Sequence, residues 1–314
     1  MRPGFAGAHA TFVLECGMRE SPWTTESIVD AAGTEIFYRE RGSGTPVLLL
    51  HGFPQTGHCW SAVAGTLGRS HRVLVPDLPG LGRSGRPPGF DARTLGATMA
   101  GFLEAVDAAP AVIVGHDWGG AVAYRLAAAH PGVTDRLVVV NSPYGSIDWK
   151  RGWYMLAFNI PVIPELAFTV AGDRIVDAFL RAGSADPAVF DRERTAPYRE
   201  SLRGLERQRN AFAYYRTMTR RVLRRAIRIG PRAPASRDGR ITAPAMIVWG
   251  MKDPALPPSL LASIERAIPH ARIERLHEAG HFVPEEAPER LAELIAGFCD
   301  ESPATTSHPP DSAS

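Results

Sequence analysis

Three side chains in this 314-residue sequence, Asp117, Asp253 and His281, are spaced for covalent hydrolysis. Asp117 stands in Gly115-His116-Asp117-Trp118-Gly119, after the apolar run Ala111–Val114 and before a helical stretch. A small-x-nucleophile-x-small turn between strand and helix pushes its central side chain out above a sheet. The serine form, G-x-S-x-G, is absent from the chain. A carboxylate in that place changes the chemistry. It is ionised near neutrality and can attack a saturated carbon without first losing a proton. The product is an alkyl ester of the enzyme, and a histidine then remains free to activate the water that cleaves it. Opening of C–O or C–halogen bonds follows, rather than ordinary ester hydrolysis. The bland reading of Asp117 is a helix N-cap, and its partners weigh against that.

"WGMKDP" follows a buried apolar run and sets Asp253 in a loop at its end; "HEAGHFVPEEAPE" follows the last such run and does the same for His281. The order nucleophile, acid, histidine fits a triad. In it Asp253 accepts one ring N–H and fixes the tautomer, while His281 takes the proton of the attacking water. "HGFPQT", 51–56, supplies Gly52 for close backbone approach and Pro54, which could follow a cis bond. The backbone N–H groups of Phe53 and Trp118 would then form an oxyanion hole.

The elements that must position these groups are short apolar runs: 46–50, 72–77, 111–115, 136–141, 245–250 and 271–276. Runs of this length, rich in Val, Leu and Ile, are expected as strands buried on both faces of a parallel sheet. Helical patterns at 94–106, 119–129 and 258–267 alternate with them, which makes an α/β sheet wrapped by helices. The piece beginning "SIVDAAGTEIFYRERGSG" reads as an antiparallel hairpin. From 143 to 240 the alternation stops and the sequence becomes helical and Arg-rich. The expected organisation is a loose extension at 1–25, a core at 26–142 and 241–300, a helical lid at 143–240, and a disordered Ser/Pro-rich tail at 301–314.

"LLLHGFPQTGHCW", "VLVPDLPGLGRSGRP", "VGHDWGGAVAYRLAAAHP" and "AGHFVPEEAPE" resemble the epoxide hydrolase branch of the α/β-hydrolase superfamily, over about 28–300. The resemblance implies the α/β-hydrolase fold with an inserted cap, and a cofactor-independent reaction taking an epoxide and water to a vicinal diol. It assigns Tyr154 and Tyr215 as lid proton donors to the departing oxygen. Helical spacing agrees for the second, because Phe212, Tyr215, Met218 and Val222 share one face; Tyr214 is the rival on its flank. The branch also holds haloalkane and haloacetate dehalogenases, the alternative reading. Many haloalkane dehalogenases carry an asparagine where Phe53 stands, and haloacetate dehalogenases an arginine where Trp118 stands. A silent hydrolase fold acting as a small-molecule receptor is the rival from outside enzymology.

Composition sets the remaining bounds. A net charge of +2 gives no reason to expect nucleic acid as a partner. Cys16, Cys59 and Cys299 lie far apart without metal or disulfide spacing, and no run approaches a membrane span. A cytoplasmic location without membrane attachment is therefore expected, as monomer or homodimer. "HEAGH", 277–281, matches the zinc pattern H-E-x-x-H, but Gly280 and Pro284 break the helix it needs. "GLGRSG", 80–85, matches a dinucleotide pattern, but Pro87-Pro88-Gly89 oppose an immediate helix. No metal or cofactor is expected. The arginines of "RTMTRRVLRRAIRIG" read as the solvated face of a lid helix.

Overall fold

The computed structural model describes residues 23–145, 148, 151–227 (backbone alone for 225–227) and 239–301. Most of the expected N-terminal extension, and the tail beyond 301, lie outside the described residues. Eight strands form one sheet: β1 (Thr25–Ala31), β2 (Thr34–Arg41), β3 (Thr45–Leu50), β4 (His71–Pro76), β5 (Ala111–His116), β6 (Thr134–Val140), β7 (Ala245–Gly250) and β8 (Arg272–Leu276). Their order is β1-β2-β4-β3-β5-β6-β7-β8. β1 and β2 form the expected hairpin, and β2 meets β4 antiparallel; every other pairing is parallel.

Burial explains the sequence pattern of each strand. All six residues of β5 and of β7 are buried, so their sequences run apolar without alternation. β8, at the edge of the sheet, has no fully buried residue and so tolerates Arg272, Glu274 and Arg275. Around the sheet lie α1 (Ser61–Leu67), α2 (Ala92–Ala105), α3 (Trp118–Ala129), α8 (Leu261–Ala267), α9 (Val283–Glu286) and α10 (Pro288–Asp300). Between β6 and β7 the described elements are helical: α4 (Trp153–Ala157), α5 (Ile163–Gly183), α6 (Ala196–Ser201), α7 (Leu205–Ile227) and one short 3-10 turn.

The order of the sheet decides where a site can form. From β3 the chain crosses to β4 on one side, then returns to place β5 on the other. The carboxyl ends of β3 and β5 therefore lie side by side at a switch point, the usual crevice of an open α/β sheet. "HGFPQT" leaves β3 there, and Asp117 leaves β5. Contact between the two ends is close enough to demand glycine. A Cβ on Gly119 would sit 2.2 Å from the Leu50 carbonyl oxygen, and one on Gly52 would sit 2.6 Å from an Asp117 carboxylate oxygen.

Candidate active site

Asp117 adopts φ 49° and ψ −116°, a left-handed backbone that non-glycine residues rarely hold. Neither Gly115 nor Gly119 has a positive φ. Both are needed because backbone from a neighbouring segment passes within 2.3 Å of where a Cβ would stand. The strained residue is Asp117 itself. Its backbone is held on both sides: its N–H donates to the Val140 carbonyl (3.2 Å), and its own carbonyl accepts the Ser142 hydroxyl (2.7 Å). Its side chain makes no cap bond to α3, which disposes of the N-cap reading.

The carboxylate is instead met from the loop after β3 and from the first residue of α3. The Phe53 N–H donates to Asp117 Oδ2 at 2.9 Å, and the Trp118 N–H also donates to this carboxylate. Burial raises its pKa, opposed by the charge of His281 and by those two N–H groups. The Phe53–Pro54 peptide is cis.

The structure also brings Asp253 and His281 together. His281 Nδ1 donates to Asp253 Oδ2 at 2.7 Å. Asp253, 3% exposed, accepts the N–H groups of Ala255 and Leu256 on Oδ1, both at 2.8 Å. Asn141 Nδ2 reaches Oδ2 at 2.7 Å while its own Oδ1 accepts the Gly250 N–H (2.8 Å). Burial works against a charge on the His281 ring, but the charge and hydrogen bond of Asp253, then Asp117 and Glu286, push its pKa up to about 9. With Nδ1 committed to Asp253, Nε2 is the ring atom left for chemistry.

Three residues in this assembly were missed by the sequence reading. Asn141, the last residue of the expected run at 136–141, lies just past β6, and its positive φ of 40° marks a turn. His116 Nε2 donates to the His281 carbonyl (2.9 Å), and burial holds its own pKa well below the usual range, so it acts as a neutral prop. Glu286 accepts three backbone N–H groups: Gly280 (2.9 Å) and Phe282 (2.9 Å) on either side of His281, and Ala185 (2.7 Å) just past α5. The His281 N–H itself donates to the Gly183 carbonyl (2.8 Å) at the end of α5. Only the acidic run "PEE" hinted at these ties.

Above Asp117 stand the two tyrosines. The rings of Tyr154 on α4 and Tyr215 on α7 lie 6.3 Å apart. Burial first, then the charge of Asp117 and other site groups, raises both phenols, so each stays protonated. Tyr215 packs edge-on against Trp118 (5.1 Å) and Phe53 (5.5 Å), and the Trp118 indole N–H is directed at its hydroxyl. Phe158 and Phe179 complete an apolar wall around Phe53 and Tyr154. Tyr214 is spent elsewhere, donating to the Pro79 carbonyl at 2.8 Å. The expected inward face of α7 is shorter than its spacing implied. Phe212 and Tyr215 are buried, but Val222 is 38% exposed, because α7 outruns the body it packs on.

The two rejected motifs sit on irregular backbone. Residues 277–281 form a turn with His277 exposed and His281 buried, so the histidines share no helix face. Residues 80–85 are loop, and the next helix begins only at Ala92. Among the described residues no helix is long and apolar enough to cross a membrane.

The glycine-tight strand-to-helix turn at β5 and the loops after β7 and β8 define a hydrolase sheet, and comparison with known families agrees. A family model described as the alpha/beta hydrolase fold matches residues 45–288, and the chain belongs to that family. It is 29% identical to the soluble epoxide hydrolase of a Corynebacterium species, over 85% of this chain and 94% of that one. It is 25% identical to haloalkane dehalogenase 2 of Mycobacterium bovis, over 88% and 93% of the two chains. Among solved structures it is similar to wild-type Cfl2 from Burkholderia cenocepacia, with a TM-score of 0.76, 25% identity, and coverage of 87% and 95%.

Proposed function

We propose that the protein is an epoxide hydrolase that makes vicinal diols through a covalent ester on Asp117. The observation that carries this reading is the pair of buried tyrosines, Tyr154 and Tyr215, with ring centres 6.3 Å apart and both within the field of Asp117. An epoxide oxygen leaves as an alkoxide and needs a proton; two buried tyrosines supply hydrogen bonds first and a proton as the C–O bond breaks. Asp117 attacks one ring carbon and forms the C–O bond of the ester. The helices between β6 and β7 act as a lid that keeps bulk water from the reaction.

Breakdown of the ester falls to His281. In the resting site its imidazolium is favoured by three carboxylates, Asp253, Asp117 and Glu286. Alkylation of Asp117 removes one of those charges, so the ring becomes a better base when water must be activated. Water loses a proton to Nε2 and attacks the ester carbonyl, while Asp253 holds the imidazolium that results. The Phe53 and Trp118 N–H groups donate to the Asp117 carboxylate, Phe53 to Oδ2, and would stabilise the charge of the tetrahedral intermediate. The substrate is a small hydrophobic epoxide, as the aromatic wall suggests, and the working location is the cytoplasm.

Dehalogenation would need N–H donors aimed at a halide. The Trp118 indole is directed at Tyr215, and Phe53 offers no side-chain donor, so the epoxide is preferred. Diol formation from an epoxide panel, run beside halide release from haloalkanes and haloacetates, separates these readings. Multiple turnovers in 18O-labelled water should place label in the Asp117 carboxylate. Diol formation without label there would remove the ester from the mechanism.

A further inference from the structure

The helical segment that carries the tyrosines also carries an exposed apolar surface. Trp153, Leu156, Ile160, Val162, Ile163 and Leu166 are all at least 45% exposed, with Val162 at 71%. They follow one another along α4, the connecting turn and the start of α5, where Ile163 and Leu166 share a helix face. Scattered apolar residues on a surface are ordinary, but a contiguous set of this size marks an interaction site.

What covers it is argued from charge. Between Gly152 and Gly172 the sole ionisable side chain besides Tyr154 is Glu165, which is buried and paired to Arg216 at 2.7 Å. Arg216 also donates to the Phe158 carbonyl, and Asn159 donates to Thr219, which fastens the α4–α5 turn to the middle of α7. One turn further along α7 come Arg220, Arg221 and Arg224, all exposed, with Leu223 57% exposed among them. The sequence from Arg207 to Arg237 holds ten arginines and no acidic residue. A second copy docked on this face would bring two such cationic edges together. A nucleic acid would match the charge but not the aliphatic face. Aliphatic residues and an exposed tryptophan rimmed by arginine suit the headgroup boundary of an anionic bilayer.

We propose that this face of the helical segment docks on the surface of an anionic lipid membrane, with Trp153, Val162 and Ile163 in the interface and the α7 arginines on the headgroups. The chain does not span the bilayer; it lies on it. The proposal departs from the expectation of no membrane attachment, which rested on the lack of a spanning run. The proposal does not depend on the catalytic reading.

The test is flotation of the full chain with vesicles of phosphatidylglycerol and phosphatidylcholine, against phosphatidylcholine alone. Binding is expected to the anionic vesicles, weakened by salt. Replacing Arg220, Arg221 and Arg224 by Gln should weaken partition about 100-fold, since each basic residue near such a surface contributes roughly fivefold. The Trp153→Ser/Val162→Ser/Ile163→Ser variant should lose binding at least tenfold with an unchanged circular dichroism spectrum, since all three side chains are exposed. No binding of the full chain, or binding that the serine variant keeps in full, overturns the proposal. So does a dimer in sedimentation equilibrium that the serine variant dissociates, which would give the face to a second copy.

Discussion

The strand ends and the helical segment hold the side chains of the candidate site by different physics. Asp117, Asp253 and His281 leave β5, β7 and β8, and nearly every polar atom around them has a partner within 3.2 Å. Tyr154 and Tyr215 are held mainly by ring contacts of 5 to 6 Å, and Tyr154 sits on a helix of five residues. A hydrogen-bonded frame fixes direction, whereas aromatic packing fixes only neighbourhood. The division matches the proposed chemistry. Ester formation and breakdown need angles set within narrow limits. Protonating a departing alkoxide needs a donor nearby, and two donors share the task.

The sharpest way to break this comparison is at the frame. Asp117→Asn should lower diol formation at least about 10,000-fold, because no ester can form. His281→Gln should lower steady turnover at least about 1,000-fold but leave the first chemical step running. Intact-mass spectrometry of that variant with substrate should show one alkyl adduct per chain, and the adduct should persist. Absence of any adduct would mean that His281 serves the first half of the reaction as well. In the unsubstituted protein the ester should break down faster as pH rises. The midpoint should fall below the value of about 9 that His281 has in the resting site, since the alkylated aspartate no longer holds it up.

The helical segment predicts a milder and divisible loss. Tyr154→Phe and Tyr215→Phe should each slow ester formation roughly 10- to 100-fold, and the double variant should lose more than either. Ester breakdown, read in a single turnover from preformed adduct, should change little. If Tyr214→Phe cost as much as Tyr215→Phe, the assignment of the second donor would be wrong, because the Tyr214 hydroxyl is committed to Pro79.

The same contrast governs what could be read from the chain. The strand runs at 46–50, 111–115 and 245–250 lie inside β3, β5 and β7, because strands buried on both faces leave unbroken apolar words. Motif and spacing named Asp117, Asp253 and His281: the first two follow such words, and His281 follows the mixed edge strand β8. What escaped was relational. Asn141 and His116 act through atoms contributed by other segments, as does Glu286 toward Ala185, and no local pattern announces a bond spanning 101, 109 or 165 residues. On α7 likeness to a family named Tyr215 and the 3.6-residue period agreed with it, but the period extended its face to Val222, since a period cannot tell where the neighbouring body ends. The tyrosine on α4 came only from likeness to a family, as five helical residues carry no period of their own.

The seam between the two regions gives the smallest and most informative effect. Glu285 on α9 lies against Gln55 from the loop after β3 and Tyr198 from α6, with the Gln55 amide donating to it. Burial raises its pKa to about 7, although Tyr198, Gln55 and Arg194 oppose the rise. A carboxyl raised above its unfolded value of 4.5 lends stability that is fully present below that pH and lost as pH climbs through 7. Above pH 7 the seam therefore holds a buried charge. Glu285→Gln keeps an amide oxygen for Gln55 to bond and removes that charge. The melting temperature should rise by on the order of 5 °C at pH 8 and stay nearly unchanged at pH 4.5. An equal shift at both pH values would show that packing, not ionisation, sets the strength with which the helical segment is joined to the sheet.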